Sequence, residues 1–307
     1  MTLKIVFMGT PEFAVPTLKA LSASFNVVGV LTQPDRPRGR GRKVFPSPVK
    51  AAALELGLPV ANPAKVSSEE GLTAIKRWSP DVIVVAAYGG ILPRRVLEMP
   101  PLGCVNLHSS LLPRHRGASP ISSAILAGDK VTGLTTMFMD EGMDTGPILM
   151  QEELEIGDDE TTKSLHDRML EPGASLVVRT LELLSQEKIE PRTQNEELAT
   201  YTEMISKEDG RLGWQNPAEY IDRQVRAMIP WPVAFYENSG QVLKIWKATP
   251  VEGTAEPGRI VVIDREGITV GTGRGLLRLE EVQASGKKRM PASEFARGRR
   301  LRAGDAL

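Results

Sequence analysis

A chain of 307 residues exceeds what one compact core usually serves, so two domains are expected. With 41% hydrophobic and 25% charged residues, and 38 basic against 38 acidic side chains, it has an ordinary globular composition. That balance excludes a global charge drawing it to nucleic acid. No apolar run approaches the roughly 20 residues that a bilayer demands, MTLKIVFMGTPEFAVP lacks the marks of an export signal, and one cysteine cannot close an internal disulfide. A cytoplasmic setting is expected.

Residues 3–8, LKIVFM, read as a strand, and 11–24 as a helix despite Pro16. A strand over 26–32 leads to a helix over 47–57, opened by Ser47-Pro48 and closed by Gly57. A helix over 67–78 and strands over 81–87 (DVIVVAA) and 103–108 (GCVNLH) follow. Next come a helix over 121–128, strands over 133–139 and 147–156, and a long amphipathic helix over 161–186. Val/Ile-rich strands alternating with helices predict an α/β fold: a Rossmann-like, doubly wound, mostly parallel sheet covered on both faces. In such sheets ligands gather beyond the carboxyl ends of the strands. The loops MGTPEF, TQPDRP, AYGGILP, HSSLLP and MDEGMDTG each follow a strand, and together they are expected to build the site.

Past residue 187 aliphatic residues thin out, which suits a linker over 188–206 between domains at 1–187 and 207–307. A short helix over 216–228 precedes strand pairs within AFYENSGQVLKIWKA and RIVVIDREGITVGTGRGLLRLEEV. Short strands at this spacing predict a small β-barrel or sandwich. GTGRG (271–275) lies between two strand runs and reads as a hairpin turn. GTPEF is not GxGxxG, so a dinucleotide site is not supported.

Of three histidines, His108, His115 and His166, two fall in CVNLHSSLLPRHRGASP (104–120). Side chains alternate along a strand, so Asn106 and His108 share a face, roughly 6–7 Å apart. Cys104 shares that face but lies about 13 Å from His108 along an extended strand. A thiolate and its base need about 3 Å, so Cys104 reads as a small core residue. Asp140 and Asp144, in MDEGMDTG, are spaced by four, with Gly142 and Gly146 permitting tight turns. Calcium would want more oxygen ligands and a closing Glu, so no metal is expected.

An amide, an imidazole and a carboxylate without a Ser or Cys nucleophile suit direct attack of an external amine on an acyl carbon. The Asn106 amide and a protonated His108 would meet the oxyanion, His108 would move protons, and Asp144 would hold or tune it. His115 reads equally as a loop residue near a substrate mouth or as a surface histidine, and His166 as structural. The basic stretches DRPRGRGRK (35–43) and GKKRMPASEFARGRRLRAGDAL (286–307) can meet phosphates; each alone is equally a solvated loop or tail.

FMGTPEFAVPTL, HSSLLPRHRGASP and MDEGMDTG resemble the formyltransferase family that uses 10-formyltetrahydrofolate. TQPDRPRGRGRK, AYGGILP, IPWPVAF (229–235) and LKIWKA (243–248) narrow the resemblance to members acting on a charged tRNA, and it covers essentially the whole chain. It implies a catalytic trio of Asn106, His108 and Asp144, with 10-formyltetrahydrofolate as the formyl donor. It implies a folate pocket lined by Ser110, Leu111, Leu112 and Pro113, by Tyr88, Gly89, Gly90, Ile91 and Leu92, and by Asp140. Arg36, Arg38, Arg40, Arg42 and Lys43 would enter the acceptor-stem region of initiator methionyl-tRNA, Arg40 foremost. The second domain would be an OB-like barrel whose Lys287, Lys288 and Arg289 meet tRNA phosphates. A monomer without a membrane partner is expected. Formyltransferases for a sugar amine or a glycinamide nucleotide share the trio, and the basic insert and second domain argue against them. A non-catalytic RNA-binding module would leave the trio without a purpose.

Overall fold

The computed structural model of the chain describes residues 3–38, 43–238 and 240–307. It forms two compact units. One comprises Met1–Pro120, Val131–Glu155 and His166–Thr202; the other comprises Ile121–Lys130, Ile156–Leu165 and Glu203–Leu307. Each is therefore assembled from stretches that are not contiguous in sequence.

The elements up to residue 108 are β1 (Lys4–Gly9), α1 (Val15–Ser24), β2 (Asn26–Leu31), β3 (Arg36–Arg38), β4 (Lys43–Phe45), α2 (Pro48–Glu55), β5 (Val60–Ala61), α3 (Glu69–Trp78), β6 (Val82–Ala86), α4 (Arg94–Leu97) and β7 (Cys104–His108). There follow β8 (Arg116–Gly117), α5 (Pro120–Ala127), β9 (Val131–Phe138), β10 (Ile148–Glu155), α6 (Thr162–Ser185) and β11 (Tyr201–Thr202). Seven strands form one sheet in the order β10-β9-β7-β6-β1-β2-β5. The run from β5 to β7 is parallel, while β9 is antiparallel to β7 and β10 to β9.

Local chemistry explains the helix boundaries. The Ser47 and Ser68 hydroxyls accept the N–H groups of Lys50 and Gly71, satisfying donors that the first turns of α2 and α3 would otherwise leave open. Pro16 falls in the first turn of α1, after a short 3₁₀ turn at Glu12–Ala14, where its missing N–H breaks no helical bond. Strands β1 and β6 are buried almost throughout, as both-sided cover requires, and their apolar runs do not alternate with polar residues. In α6, a methyl group on Gly173 would stand 3.0 Å from Leu107, so the helix backbone lies close against β7. Leu107 thus faces α6, and Asn106 and His108 face the other side of the sheet.

The orientation of β9 corrects the expectation that all five loops leave from one edge. Val105 pairs with Phe138 and His108 with Thr135, so β9 ends beside the start of β7. The loop after β9 must double back to reach the carboxyl end of β7.

In the second unit, α7 (Ala218–Ala227) precedes β12 (Phe235–Asn238), β13 (Gln241–Val251), β14 (Ile260–Ile263), β15 (Ile268–Gly271), β16 (Leu276–Ala284), β17 (Met290–Pro291) and α8 (Ala292–Arg299). The strands form an antiparallel, barrel-like sheet in the order β12-β13-β16-β15-β14, with β17 on β16. GTGRG makes the turn between β15 and β16, the hairpin expected of it. Helix α8 was not foreseen: its buried residues, Ala292 and Ala296, are small, and its basic composition reads as a tail. No helix among the described residues is long and apolar enough to cross a membrane.

Candidate active site

Asn106 and His108 end β7 at 8% and 6% exposure. The His108 Nε2 lies 3.0 Å from the carbonyl oxygen of His115. A carbonyl can only accept, so Nε2 carries a proton and, in the neutral ring, Nδ1 carries the lone pair. Nδ1 faces Asp144 Oδ2 at 3.6 Å, too far for a hydrogen bond but close enough for the carboxylate to attract an imidazolium. Among the described residues the Asn106 amide has no hydrogen-bond partner. It is left able to donate to a substrate oxygen.

Asp144 reaches this position through the returning loop, with its backbone at φ +55°. Its Oδ2 accepts the N–H of Gly117 at 2.8 Å. Position 117 admits only glycine, because φ is +108° and a Cβ would stand 2.4 Å from the Thr202 carbonyl oxygen. His115 is a loop residue but not a surface one. It is 8% exposed, and its contribution to the site is a backbone carbonyl. His166 packs its ring 5.5 Å from that of Phe13, a structural contact.

Sequence reasoning missed the residues that hold Asp144. Arg116 is fully buried. It donates through Nε and Nη2 to Gln194 Oε1 at 3.1 and 2.9 Å, and to both carboxylate oxygens of Glu196 at 2.8 and 2.7 Å. This pairing holds the Glu196 carboxyl below the usual range. Fixed in this way, Gln194 turns its Nε2 toward the carbonyls of Asp144 and Gly146, donating at 2.7 and 2.8 Å. β11 pairs with β8 in parallel, tying Tyr201–Thr202 alongside Arg116–Gly117. The polar stretch read as a linker thus contains residues that clamp the Asp144 loop. No motif signals this, because the partners lie some 80 positions apart.

The residues assigned to a folate pocket fall into distinct places. The Ser110 hydroxyl donates to the Arg114 carbonyl, and Thr135 Oγ1 donates to the Ser110 carbonyl while accepting the Leu112 N–H. Gln151 Nε2 donates to the Leu112 carbonyl, and the Leu112–Pro113 peptide is cis. Leu112 is buried against Met137 and Ile148, and Leu111 is half-buried. Tyr88 and Leu92 are buried in a core cluster with Val85, Val96 and Cys104, whereas Gly89 and Gly90 are exposed and Ile91 stands 90% exposed. This loop therefore offers a ligand its backbone and Ile91 rather than the Tyr88 and Leu92 side chains. Asp140 is exposed and accepts from Gly142 N–H and Thr145 Oγ1, shaping the loop that carries Asp144.

Cys104 is buried, and desolvation pushes its thiol up to about 12. Among the described residues no group of His, Cys, Asp or Glu side chains could hold a metal ion. Of the basic insert, Arg36 and Arg38 lie on β3 and Lys43 on β4, a two-stranded hairpin, while Arg40 and Arg42 lie outside the described residues. Lys287, Lys288 and Arg289 are exposed in the turn between β16 and β17, with the Arg289 guanidinium 4.6 Å from the Trp246 ring centre.

A mostly parallel sheet with this polar cluster, followed by a barrel-like unit, fits the class of the formyl transferases. Residues 3–181 match the family model described as formyl transferase, and residues 204–300 match the formyl transferase C-terminal domain. The methionyl-tRNA formyltransferase of Citrifermentans bemidjiense is 46% identical over 306 residues, 99% of this chain and 96% of that protein. The chain belongs to the methionyl-tRNA formyltransferase family and is an enzyme of group transfer. Among solved structures, the sugar 3N-formyl transferase WlaRD, in the presence of dTDP and 5-N-formyl-THF, superimposes with a TM-score of 0.69 at 17% identity, covering 94% of this chain and all of that one. HypX from Aquifex aeolicus, in complex with tetrahydrofolic acid, gives 0.63 at 17% identity; the match takes 96% of this chain but only 47% of that protein. At such identities the likeness is one of fold.

Proposed function

We propose that the chain transfers the formyl group of 10-formyltetrahydrofolate to the α-amino group of methionine on initiator methionyl-tRNA. The carrying observation is the approach of Asp144 to His108 Nδ1, beside an Asn106 amide with open donors, in a chain closely similar to a methionyl-tRNA formyltransferase.

The residues fit a folate donor. Exposed Gly89, Gly90 and Ile91 offer backbone groups and an apolar face, which suits a flat heterocycle, and the Ser110–Pro113 loop, braced by Thr135 and Gln151, follows the neighbouring strand β7. The folate, when bound, supplies an activated formyl carbonyl. Asn106 donates its amide N–H toward that carbonyl oxygen as negative charge builds there, and His108, neutral at the start, adds a second favourable charge once it has taken the amine's proton and become an imidazolium. His108 takes a proton from the methionine amine at Nδ1, the atom with the free lone pair, and returns it toward the departing nitrogen. Asp144 stabilises the imidazolium between these transfers, and the His115 carbonyl keeps the ring from turning. The basic side chains at 36–43 and 287–289 serve the tRNA phosphates.

The test is formylation of methionyl-tRNA by the purified chain with 10-formyltetrahydrofolate, read as a formyl-sized mass gain on methionine. Asn106→Ala is expected to lower turnover by about 10²–10³. Near-normal turnover in a folded variant removes the oxyanion role, and transfer to an amino sugar instead of methionyl-tRNA replaces the acceptor.

A further inference from the structure

Strand register sets one row of side chains across the last three strands of the larger sheet, β7, β9 and the edge strand β10. Gln151 on β10 lies opposite Thr135 on β9, and Thr135 lies opposite His108 on β7. Cross-strand partners share a face, so all three project on the side away from α6. At about 4.8 Å per strand, the Gln151 backbone stands about 10 Å from that of His108. The loop that follows His108 folds back across this row. A methyl group on Gly133, two residues before Thr135 and on the same face, would stand 2.5 Å from Leu111, so the loop lies flat on β9.

The row spends its hydrogen bonds on the backbone of that loop. The fully buried Thr135 hydroxyl donates to the Ser110 carbonyl at 2.6 Å. It accepts the Leu112 N–H at 3.1 Å and one Gln151 amide proton at 3.1 Å, which fills the one donor and two acceptor places of a hydroxyl. The second Gln151 amide proton goes to the Leu112 carbonyl at 2.9 Å. Leu112 is 3% exposed, so water is a poor substitute for that donor. Gln151 Oε1 accepts from Arg192 Nη2 at 3.4 Å, and Arg192 exchanges two backbone bonds of 2.8 Å with Ile148 at the start of β10. That contact turns the amide so that its nitrogen faces the loop. Thr135 cannot be changed without breaking three bonds at once, whereas Gln151 is half-buried and its donor can be exchanged alone.

We infer that Gln151 is a positioning residue for the formyl donor: its amide fixes the Leu112 carbonyl, and with it the shape of the 110–113 loop that the donor meets. The inference rests on the proposed donor site including that loop. Asp144 is held separately, through Arg116 and Gln194. The effect of Gln151 therefore falls on the donor and not on the acceptor.

The experiment is steady-state formylation by the full chain, with 10-formyltetrahydrofolate and methionyl-tRNA varied in turn, for wild type, Gln151→Ala, Gln151→Glu and Gln151→Lys. Alanine removes the amide, and glutamate sets an acceptor against the Leu112 carbonyl. Lysine keeps an N–H donor on a flexible stem and gives up only the acceptor for Arg192. The donor KM is expected to rise about tenfold in Gln151→Ala and at least as far in Gln151→Glu, the size of one buried bond left unmade. Gln151→Lys restores it to within about threefold of wild type. The tRNA KM, and kcat at saturating donor, stay within about a factor of two in all three variants, the pattern of lost binding to one substrate. The assignment is overturned if Gln151→Ala and Gln151→Glu, folded by circular dichroism, keep the wild-type donor KM. It is equally overturned if kcat falls with both KM values unchanged, as loss of folded protein alone produces, or if Gln151→Lys is as impaired as Gln151→Ala. A wild-type chain that takes no formyl group from 10-formyltetrahydrofolate overturns the proposed donor itself, and this inference with it.

Discussion

Gln194→Glu replaces one atom and reverses one hydrogen-bonding role. The Oε1 side keeps its place against Arg116, and the bonds at 3.1 and 2.9 Å, already donated by a cation, become those of an ion pair. The Nε2 side turns from donor to acceptor, facing the carbonyls of Asp144 and Gly146 at 2.7 and 2.8 Å. Two buried acceptors then lose their donor, at about 1–3 kcal/mol each, against a gain of about 1.5 kcal/mol on the Arg116 side. The net is a loss of roughly 0.5–4.5 kcal/mol, concentrated in the loop that carries Asp144. Relief by displacement of that loop moves the carboxylate from its 3.6 Å position beside His108. Urea unfolding reads the stability, and steady-state formylation reads kcat and the tRNA KM separately. The expected outcome is a lower midpoint with unchanged slope and a kcat loss of about 10–100-fold. The tRNA KM should stay within a factor of two. A variant that keeps both the wild-type midpoint and the wild-type kcat refutes the positioning role of Gln194.

Three further outcomes follow from charge and burial. Native protein should resist iodoacetamide at pH 8 at Cys104, while urea-unfolded protein reacts, because the buried thiol titrates near 12 instead of 9.0. The same shift makes the native state hold a proton that the unfolded chain has lost. Cys104 should therefore contribute a fall of about 1.4 kcal/mol per pH unit as pH rises from 9 toward 12, a contribution that Cys104→Ala removes while that of buried Tyr88 stays. Labelling of the folded protein at the rate of a free thiol contradicts this. Arg40→Ala, in the basic insert, should raise the tRNA KM and reduce the salt slope of tRNA binding by about one, with the folate KM unchanged. A collapse of folate affinity with intact tRNA kinetics would show that the insert serves the other substrate.

The chain wrote much of its fold locally. A strand covered on both faces must be apolar at every position, so β1, β2 and β6 were legible as Val/Ile runs. A helix start needs an acceptor for its free N–H groups, so Ser47 marked α2 within one residue. Asn106 and His108 were legible as a pair because alternation along a strand is a property of the backbone itself. The small residues of α8 carried no such signal.

Tertiary structure decided the rest of the site. The direction of β9 is absent from its apolar pattern, since a strand buries the same side chains whether it runs up or down. The anchor of His108 is the carbonyl of His115, and every residue has a carbonyl. Arg116, Gln194 and Glu196 meet across some 80 positions, each an ordinary polar residue in its own surroundings. Local sequence encodes which groups must be buried or capped. Which distant groups satisfy one another depends on how the chain returns on itself, and only the folded backbone fixes that.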